Sequence, residues 1–279
     1  MTTPAVLVPL RPVARPWGGD GVVALGLRAP PGAAIGEWWV DAPGFPLLVK
    51  VIDTRAPLSI QLHPDDDAAR ALGHRSGKTE AWCVLFARAG ASVGLWLASG
   101  RDSGAFLAAA ERGEDVSGWL VNLPVAAGDA VFVPPGTVHT IGAGITILEV
   151  QEPSDVTLRV FDWNREPKRE LHVAAARRAI RTGGAAGVVH PHAVGAGDRL
   201  AARHDVVVEC DRFRVERVEA DRPFRVTARR SELWFCAEGH ARVSPDVAVD
   251  AGGALLVAPA TSIEFSPFPR ALLYRILPP

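Results

Sequence analysis

Four side chains from three separate stretches offer donors that one metal ion could share: Gln61, His63, Glu80 and His139. Two imidazoles, a carboxylate and an amide oxygen suit Zn²⁺, and they leave a coordination position for water or substrate. The oxygen donors also tolerate Mn²⁺ or Fe²⁺, and two histidines with one carboxylate describe the non-haem iron triad as well, so ligand type leaves the metal open. Taken singly, each residue has an ordinary role. A lone histidine commonly hydrogen-bonds in a turn or a core, a glutamine decorates a strand, and a glutamate caps or pairs. The joint pattern carries the reading.

The elements that must position these donors are strands. In Leu58-Ser-Ile-Gln-Leu-His-Pro64, Leu58, Ile60 and Leu62 share one face, while Ser59, Gln61 and His63 share the other. That alternation puts metal-capable groups where a barrel interior would be. In Gly128-Asp-Ala-Val-Phe-Val-Pro-Pro-Gly-Thr-Val-His139, a strand ends in a Pro/Gly turn that delivers His139 to the start of the next strand. In Gly77-Lys-Thr-Glu-Ala-Trp82, Glu80 opens an apolar strand, and a carboxylate there wants a partner.

Further segments repeat the strand-and-turn pattern: Val22–Leu27, Glu37–Val40, Leu47–Ile52, Ala91–Leu97, Ile145–Gln151 and Thr157–Asp162, then seven more between Val206 and Ile276. The expectation is a mainly β chain of two jelly-roll barrels with a few helices. Helices are expected near 103–113 and 170–182, the second stopped by Gly183-Gly184. Its arginines 177, 178 and 181 read as a solvated face. A Gly/Ala/Val/His-rich linker over 183–198 separates a first domain, 1–185, from a second, 195–279, which shows no comparable ligand set. The two share a Gly–strand–Pro punctuation, GDAVFVPP at 128–135 and GGALLVAPA at 252–260. The His190-Pro-His192 pair reads as linker rather than metal clamp.

Composition excludes several classes. Lys+Arg number 30 against 31 Asp+Glu, which argues against a nucleic-acid surface. Three scattered cysteines make no CxxC pair and point to a reducing compartment. The N-terminal stretch lacks a signal-peptide pattern, and no apolar run approaches the ~18 residues of a membrane span. A cytoplasmic monomer with neither nucleic-acid nor membrane partner is expected.

The segment Gly128–His139 matches the G-x5-P-x-G-x2-H pattern of the second cupin motif. PLSIQLHPDD at 57–66, GKTEAW at 77–82 and the run 134–165 resemble type I mannose-6-phosphate isomerases, as do RPWGG at 15–19, IGEWW at 35–39 and FPLLVKVID at 45–53. The likeness covers about residues 10 to 180. It implies one Zn²⁺ per chain on Gln61, His63, Glu80 and His139, and a phosphosugar substrate. It places Lys78, Glu149, Arg159 and Arg165 around the sugar phosphate, with Ser59 near the phosphate. Strand alternation agrees, setting Glu149 with Ile147 and Gln151 and setting Arg159 opposite Leu158 and Val160. The implied reaction interconverts mannose 6-phosphate and fructose 6-phosphate through an enediol, with Glu149 or Lys78 as base. Two other readings use the same barrel: a non-catalytic sugar-phosphate binder and an Fe²⁺-dependent oxygenase. Departures from the family pattern sit beside the ligands. They are Trp38-Trp39 after the IGE triplet, which can pack or stack on a sugar, and Ala81 before Trp82.

Overall fold

In the computed structural model, which describes residues 5–19, 22–183, 186–189, 202–243 and 247–279, the alternating segments become twenty strands with three short α-helices among the described residues. In order they are β1 (Ala5–Val8), β2 (Leu10–Gly19), β3 (Ile35–Val40), β4 (Leu48–Thr54), β5 (Ile60–Leu62), α1 (Asp66–Ala71), β6 (Glu80–Ala87), β7 (Ser92–Leu97), α2 (Ser103–Glu111), β8 (Leu120–Pro124), β9 (Ala130–Val133) and β10 (His139–Ile141). There follow β11 (Ile145–Gln151), β12 (Leu158–Phe161), α3 (Val173–Ala179), β13 (Gly187–Val189), β14 (Ala202–Glu209), β15 (Arg214–Ala220), β16 (Phe224–Ala228), β17 (Glu232–Val243), β18 (Val247–Asp250), β19 (Ala254–Val257) and β20 (Thr261–Leu277). The chain is mainly β, as its alternation implies.

The chain divides into two units. One takes in residues 16–19 and 52–189, and the other takes in the remaining described residues. This division differs from the expected 1–185 and 195–279. The early strands group with the C-terminal segment because β1 pairs antiparallel with β19, Ala5 opposite Val257 and Val8 opposite Ala254. No local pattern announces a pairing across so much chain. The linker's centre and the His190-Pro-His192 pair lie outside the described residues.

In the unit containing residue 80, one sheet has the order β12-β5-β10-β7-β8, and another runs β13-β9-β6-β11 to the end of β4. Apolar side chains from both sheets form one core: Val84, Val131 and Ile147 from one, Val93, Leu95 and Ile141 from the other. Glu80, Trp82 and Val84 alternate onto the same face, and His139 lies opposite Leu95 in register. The candidate ligands therefore sit at the polar end of this core. A second cluster packs Phe106, Leu107 and Ala110 of α2 and Ala176 and Ala179 of α3 against Leu62 and Val160.

The helices differ from expectation in detail. α2 starts as expected, its first turn capped by the Asp102 carboxylate, which accepts from the Ala105 N–H at 2.7 Å. α3 is shorter than 170–182, because Ile180 turns extended and the Arg181 N–H donates to the Gly136 carbonyl. Arg177 and Arg181 of the basic cluster pair with Glu111 and Asp65. α1 carried too short a pattern to anticipate; Asp65 caps it. The expected strand at Val22–Leu27 is instead a 3₁₀ turn at Val23–Leu25, closed by Gly26 at φ +66°.

In the other unit, the sheet runs β1-β19-β17-β20-β15-β14, with β16 on β20 and β18 on β17. Its core stacks Phe224 on Phe265 at 5.1 Å and packs Trp234 on Phe265 at 4.6 Å. Trp38 is buried here, and Trp39 donates to Glu37 at 2.7 Å under the Lys50 ammonium, so both pack. No helix among the described residues is long and apolar enough to cross a membrane.

A buried ion network closes one end of this unit. Arg275 donates to Glu232 through Nε and Nη2 and to Glu216 through Nη1. The His204 hydrogen bond, opposed by burial and aided by Arg275 and Arg214, brings Glu216 down to about 2. A carboxyl depressed below its ordinary 4.5 stabilises the fold above that pH and loses its contribution as pH falls toward 2. Stability measured by denaturant between those limits should fall with pH, and Glu216→Gln should flatten the slope. An identical slope in the variant would refute the role.

Candidate metal centre

Glu80 opens β6 with its carboxylate buried, and the chain brings four further strands to it. In the first sheet, β10, β5 and β12 align His139, Gln61 and Arg159 in one cross-strand row. In the second, Gln151 of β11 faces Glu80 and Glu149 faces Trp82. His63, Glu80 and His139 are all buried, and one donor atom from each lies within 4.8 Å of the others. The imidazole rings stand 4.9 Å apart, and Trp82 edges onto His139 at 5.5 Å.

Two glycines make the approach possible. A side chain at Gly77 would meet the Pro64 carbonyl oxygen at 2.6 Å, so only glycine lets the Lys78–Glu80 segment lie against His63. Gly136, at φ +81°, closes the turn that delivers His139, and its N–H donates to the His63 carbonyl at 2.7 Å. Turn and strand are thus tied directly together.

The hydrogen bonds set the electrostatics. His63 donates Nδ1–H to the Val156 carbonyl at 2.8 Å, and His139 donates Nδ1–H to the Thr137 carbonyl at 2.9 Å. Each ring proton is spent on backbone, so each Nε2 turns a lone pair toward Glu80. His63 Nε2 lies 3.3 Å from Oε2 and His139 Nε2 lies 3.4 Å from Oε1. Acceptors facing acceptors in a buried space repel unless a cation joins them.

Protonating the histidines is disfavoured. Burial, with the Lys78 charge, holds His63 below its ordinary value, and burial takes His139 to about 3. Burial also opposes the Glu80 charge, yet Lys78, His63 and His139 hold its carboxyl well below the usual range. Lys78 supplies one positive charge, 2.6 Å from Glu80 Oε2 and 3.8 Å from Glu149 Oε1. Burial weighs against that charge, but Glu149 and Glu80 hold Lys78 above the ordinary lysine value. The ammonium also lies 3.3 Å from His63 Nε2, so it serves Glu80 Oε2 and one imidazole nitrogen and leaves His139 Nε2 facing Oε1. The donor set fits a divalent cation between the two imidazoles and the carboxylate.

Gln61 is beside this group: Nε2 lies 3.4 Å from His139 Nε2, and Oε1 accepts from Ser59 at 2.9 Å. A half-turn of its amide would present the oxygen instead. Ser59 is thereby placed at the centre's edge. Arg159 is next to Gln61 in register and donates Nη1–H to the Glu170 carbonyl at 2.7 Å. Arg165 is held elsewhere, by the Asp162 carboxylate at 2.8 Å and the Pro57 carbonyl, and Arg169 shares Asp162. Sequence reasoning missed Trp82 as a partner, although its position two residues from Glu80 on one strand face was the available signal. Its Nε1 donates to Glu80 Oε1 at 3.2 Å. The carbonyls of Val156 and Thr137 had no signal, since backbone acceptors carry none.

Residues 31–81 match the family model of the type I phosphomannose isomerase catalytic domain. Over that stretch the chain is similar to the type I phosphomannose isomerases. A mannose-6-phosphate isomerase of Streptococcus mutans is 44% identical over 137 residues, 46% of this chain and 42% of that protein. The mannose-6-phosphate isomerase ManA of Bacillus subtilis is 33% identical over 181 residues, 58% of this chain and 55% of that protein. These alignments span about half the length of those relatives. Among solved structures, the mannose 6-phosphate isomerase of Bacillus subtilis superposes with a TM-score of 0.83 at 22% identity, covering 97% of this chain and 99% of that one. A phosphomannose isomerase of Salmonella typhimurium gives 0.74 at 14% identity, covering 99% and 100%. At such identities the structures establish a shared fold.

Gly136→Ala tests the positioning turn. The new methyl would sit at positive φ and 2.7 Å from the Ala179 carbonyl oxygen. A loss of about 1–3 kcal/mol in unfolding free energy is expected, with weaker metal retention on dialysis. An unchanged denaturation midpoint would show that the turn tolerates a side chain.

Proposed function

We propose that the chain is a metal-dependent sugar-phosphate isomerase that interconverts mannose 6-phosphate and fructose 6-phosphate. The observation that carries this reading is the buried meeting of two imidazole lone pairs and a carboxylate, which a divalent cation would reconcile. The family match and the named relatives supply the substrate class. The family resemblance favours Zn²⁺, one per chain, held by His63, Glu80 and His139 with Gln61 after its amide turns, a donor set that zinc accepts. When bound, the ion supplies Lewis acidity that lowers the cost of charge developing on a substrate oxygen.

The chain's own residues divide the remaining work. Aldose–ketose isomerisation removes a proton from C2 and returns it to C1, while an oxygen-bound proton passes from O2 to O1; nothing is oxidised or reduced overall. Lys78 is held protonated by two carboxylates and suits proton donation to a sugar oxygen. Glu149, across the strand pair from Trp82 and 3.8 Å from that ammonium, suits the carbon-bound proton. This pairing is supported by the charge balance around Lys78, which leaves Glu149 as the acceptor of the two. Arg159, next to Gln61 and with Ser59 one strand away, suits the phosphate, whose binding orients the sugar. Arg165, committed to Asp162 and the Pro57 carbonyl, would reach a phosphate only by exchanging those partners. On this reading the protein acts in the cytoplasm as a monomer on a small phosphosugar, with neither nucleic acid nor membrane.

The test is direct. Purified protein is assayed for bound metal and for fructose 6-phosphate formed from mannose 6-phosphate, with and without chelator. His139→Ala should lose metal and turnover together. Arg159→Ala should keep its metal and lose turnover by about a hundred-fold. Full activity in metal-stripped His139→Ala would overturn the metal's role. Metal binding and ligand binding without turnover in the wild type would identify a sensor.

A further inference from the structure

The unit that lacks the histidines repeats the frame of the metal centre. Glu232-Leu-Trp234 opens β17 as Glu80-Ala-Trp82 opens β6. In both, the tryptophan Nε1 donates to its own strand's glutamate at 3.2 Å. In both, the glutamate faces a valine on the strand that ends the Gly–strand–Pro segment: Glu80 opposite Val133, Glu232 opposite Val257. The residue across from the tryptophan on its other side is Glu149 in one frame and Arg275 in the other.

That exchange changes the chemistry. Arg275 grips Glu232 with two bonds, Nε at 2.8 Å and Nη2 at 2.5 Å. A guanidinium fixed to the chain thus stands where the other frame would take an exchangeable cation, and Glu232 has no charge left for a metal. The pair instead lines a cleft of about 640 Å³.

The cleft walls carry an excess of arginine. Glu216 and Glu232 are engaged by Arg275, and Glu209 by Arg214 at 3.1 Å. Arg225 reaches Glu264. That leaves Arg229 and Arg230, which directly follow β16. Among the described residues Arg230 donates to the Pro278 carbonyl at 2.7 Å, and neither it nor Arg229 makes an ion pair. Two guanidinium groups without an ion pair among the described residues line the cleft together with Thr227, and guanidinium forks match a tetrahedral oxyanion, which accepts several donors at once. The volume falls in the range of small-molecule clefts, about 300–1,000 Å³, and far exceeds a bare phosphate.

We propose that this cleft is a second ligand site, distinct from the metal centre, which binds a phosphate monoester with its phosphate on Arg229 and Arg230. The site belongs to its own unit, so the proposal stands whether or not the isomerase reading does. The experiment follows backbone amide resonances of residues 227–230 in the full-length, metal-loaded chain. Inorganic phosphate, glycerol 3-phosphate, acetate and chloride are titrated at matched ionic strength. The expected result is saturable shifts with both phosphates, tighter for the ester, and none with acetate or chloride. Arg229→Gln, an exposed change that leaves the fold and the isomerase assay untouched, should weaken binding about ten-fold. Equal shifts with chloride, saturable binding of acetate alone, or an affinity unchanged in Arg229→Gln would each overturn the site.

Discussion

The candidate centre depends on one electrostatic conflict. Glu80 faces the lone pairs of His63 and His139 at 3.3 and 3.4 Å in a buried space. Removing a carboxylate from water costs several kcal/mol unless a partner compensates, and neutral imidazoles turned lone-pair-first compensate nothing. Lys78 relieves Oε2 and lies 3.3 Å from the His63 lone pair, and Trp82 donates to Oε1, which leaves a single positive charge for the whole group. A chain that spends both Nδ1 protons on backbone carbonyls has arranged its remaining nitrogens for a cation, since any packing role would be served better by rings free to donate toward the carboxylate.

Holding that conflict in place requires a stiff frame, and the sheets provide it. Cross-strand register sets His139, Gln61 and Arg159 in a row, so the candidate ligands and the arginine beside them are spaced by strand separation rather than by loop conformation. The closest approaches are backbone to backbone, at Gly77 against Pro64 and Gly136 against His63. Donors placed this way lose little freedom on binding a ligand, because the fold has already ordered them.

Much of this was legible in the sequence because strand alternation and turn chemistry are local. Ser59, Gln61 and His63 share a face by period alone, and the Pro/Gly turn before His139 announces a change of direction. The mainly β character follows from the same patterns. Three things were not legible. The grouping of β1 with β19 needs a pairing between the two ends of the chain, which no window contains. The shortening of α3 comes from Arg181 bonding to Gly136, a long-range competitor for the helix's last turn. The fixing of both histidine tautomers rests on the carbonyls of Val156 and Thr137, and every residue has a carbonyl. Arg165 shows the converse: its place in a motif was readable, while its commitment to Asp162 appears only in three dimensions.

The repeated Glu-x-Trp frame shows how one arrangement of strands meets the same electrostatic demand in two ways. A buried glutamate that accepts from a tryptophan needs positive charge. In one unit it faces two imidazole nitrogens and one ammonium, a set that an exchangeable ion would complete. In the other, Arg275 completes it from within the chain. The two solutions differ in what they leave open. A metal held by three or four donors retains a coordination position, whereas a guanidinium with both fork arms on one carboxylate offers no such vacancy and holds its proton at any physiological pH. The arginine-closed frame therefore meets the same demand with no coordination position to spare, and the two frames differ in which kind of cation would neutralise the glutamate.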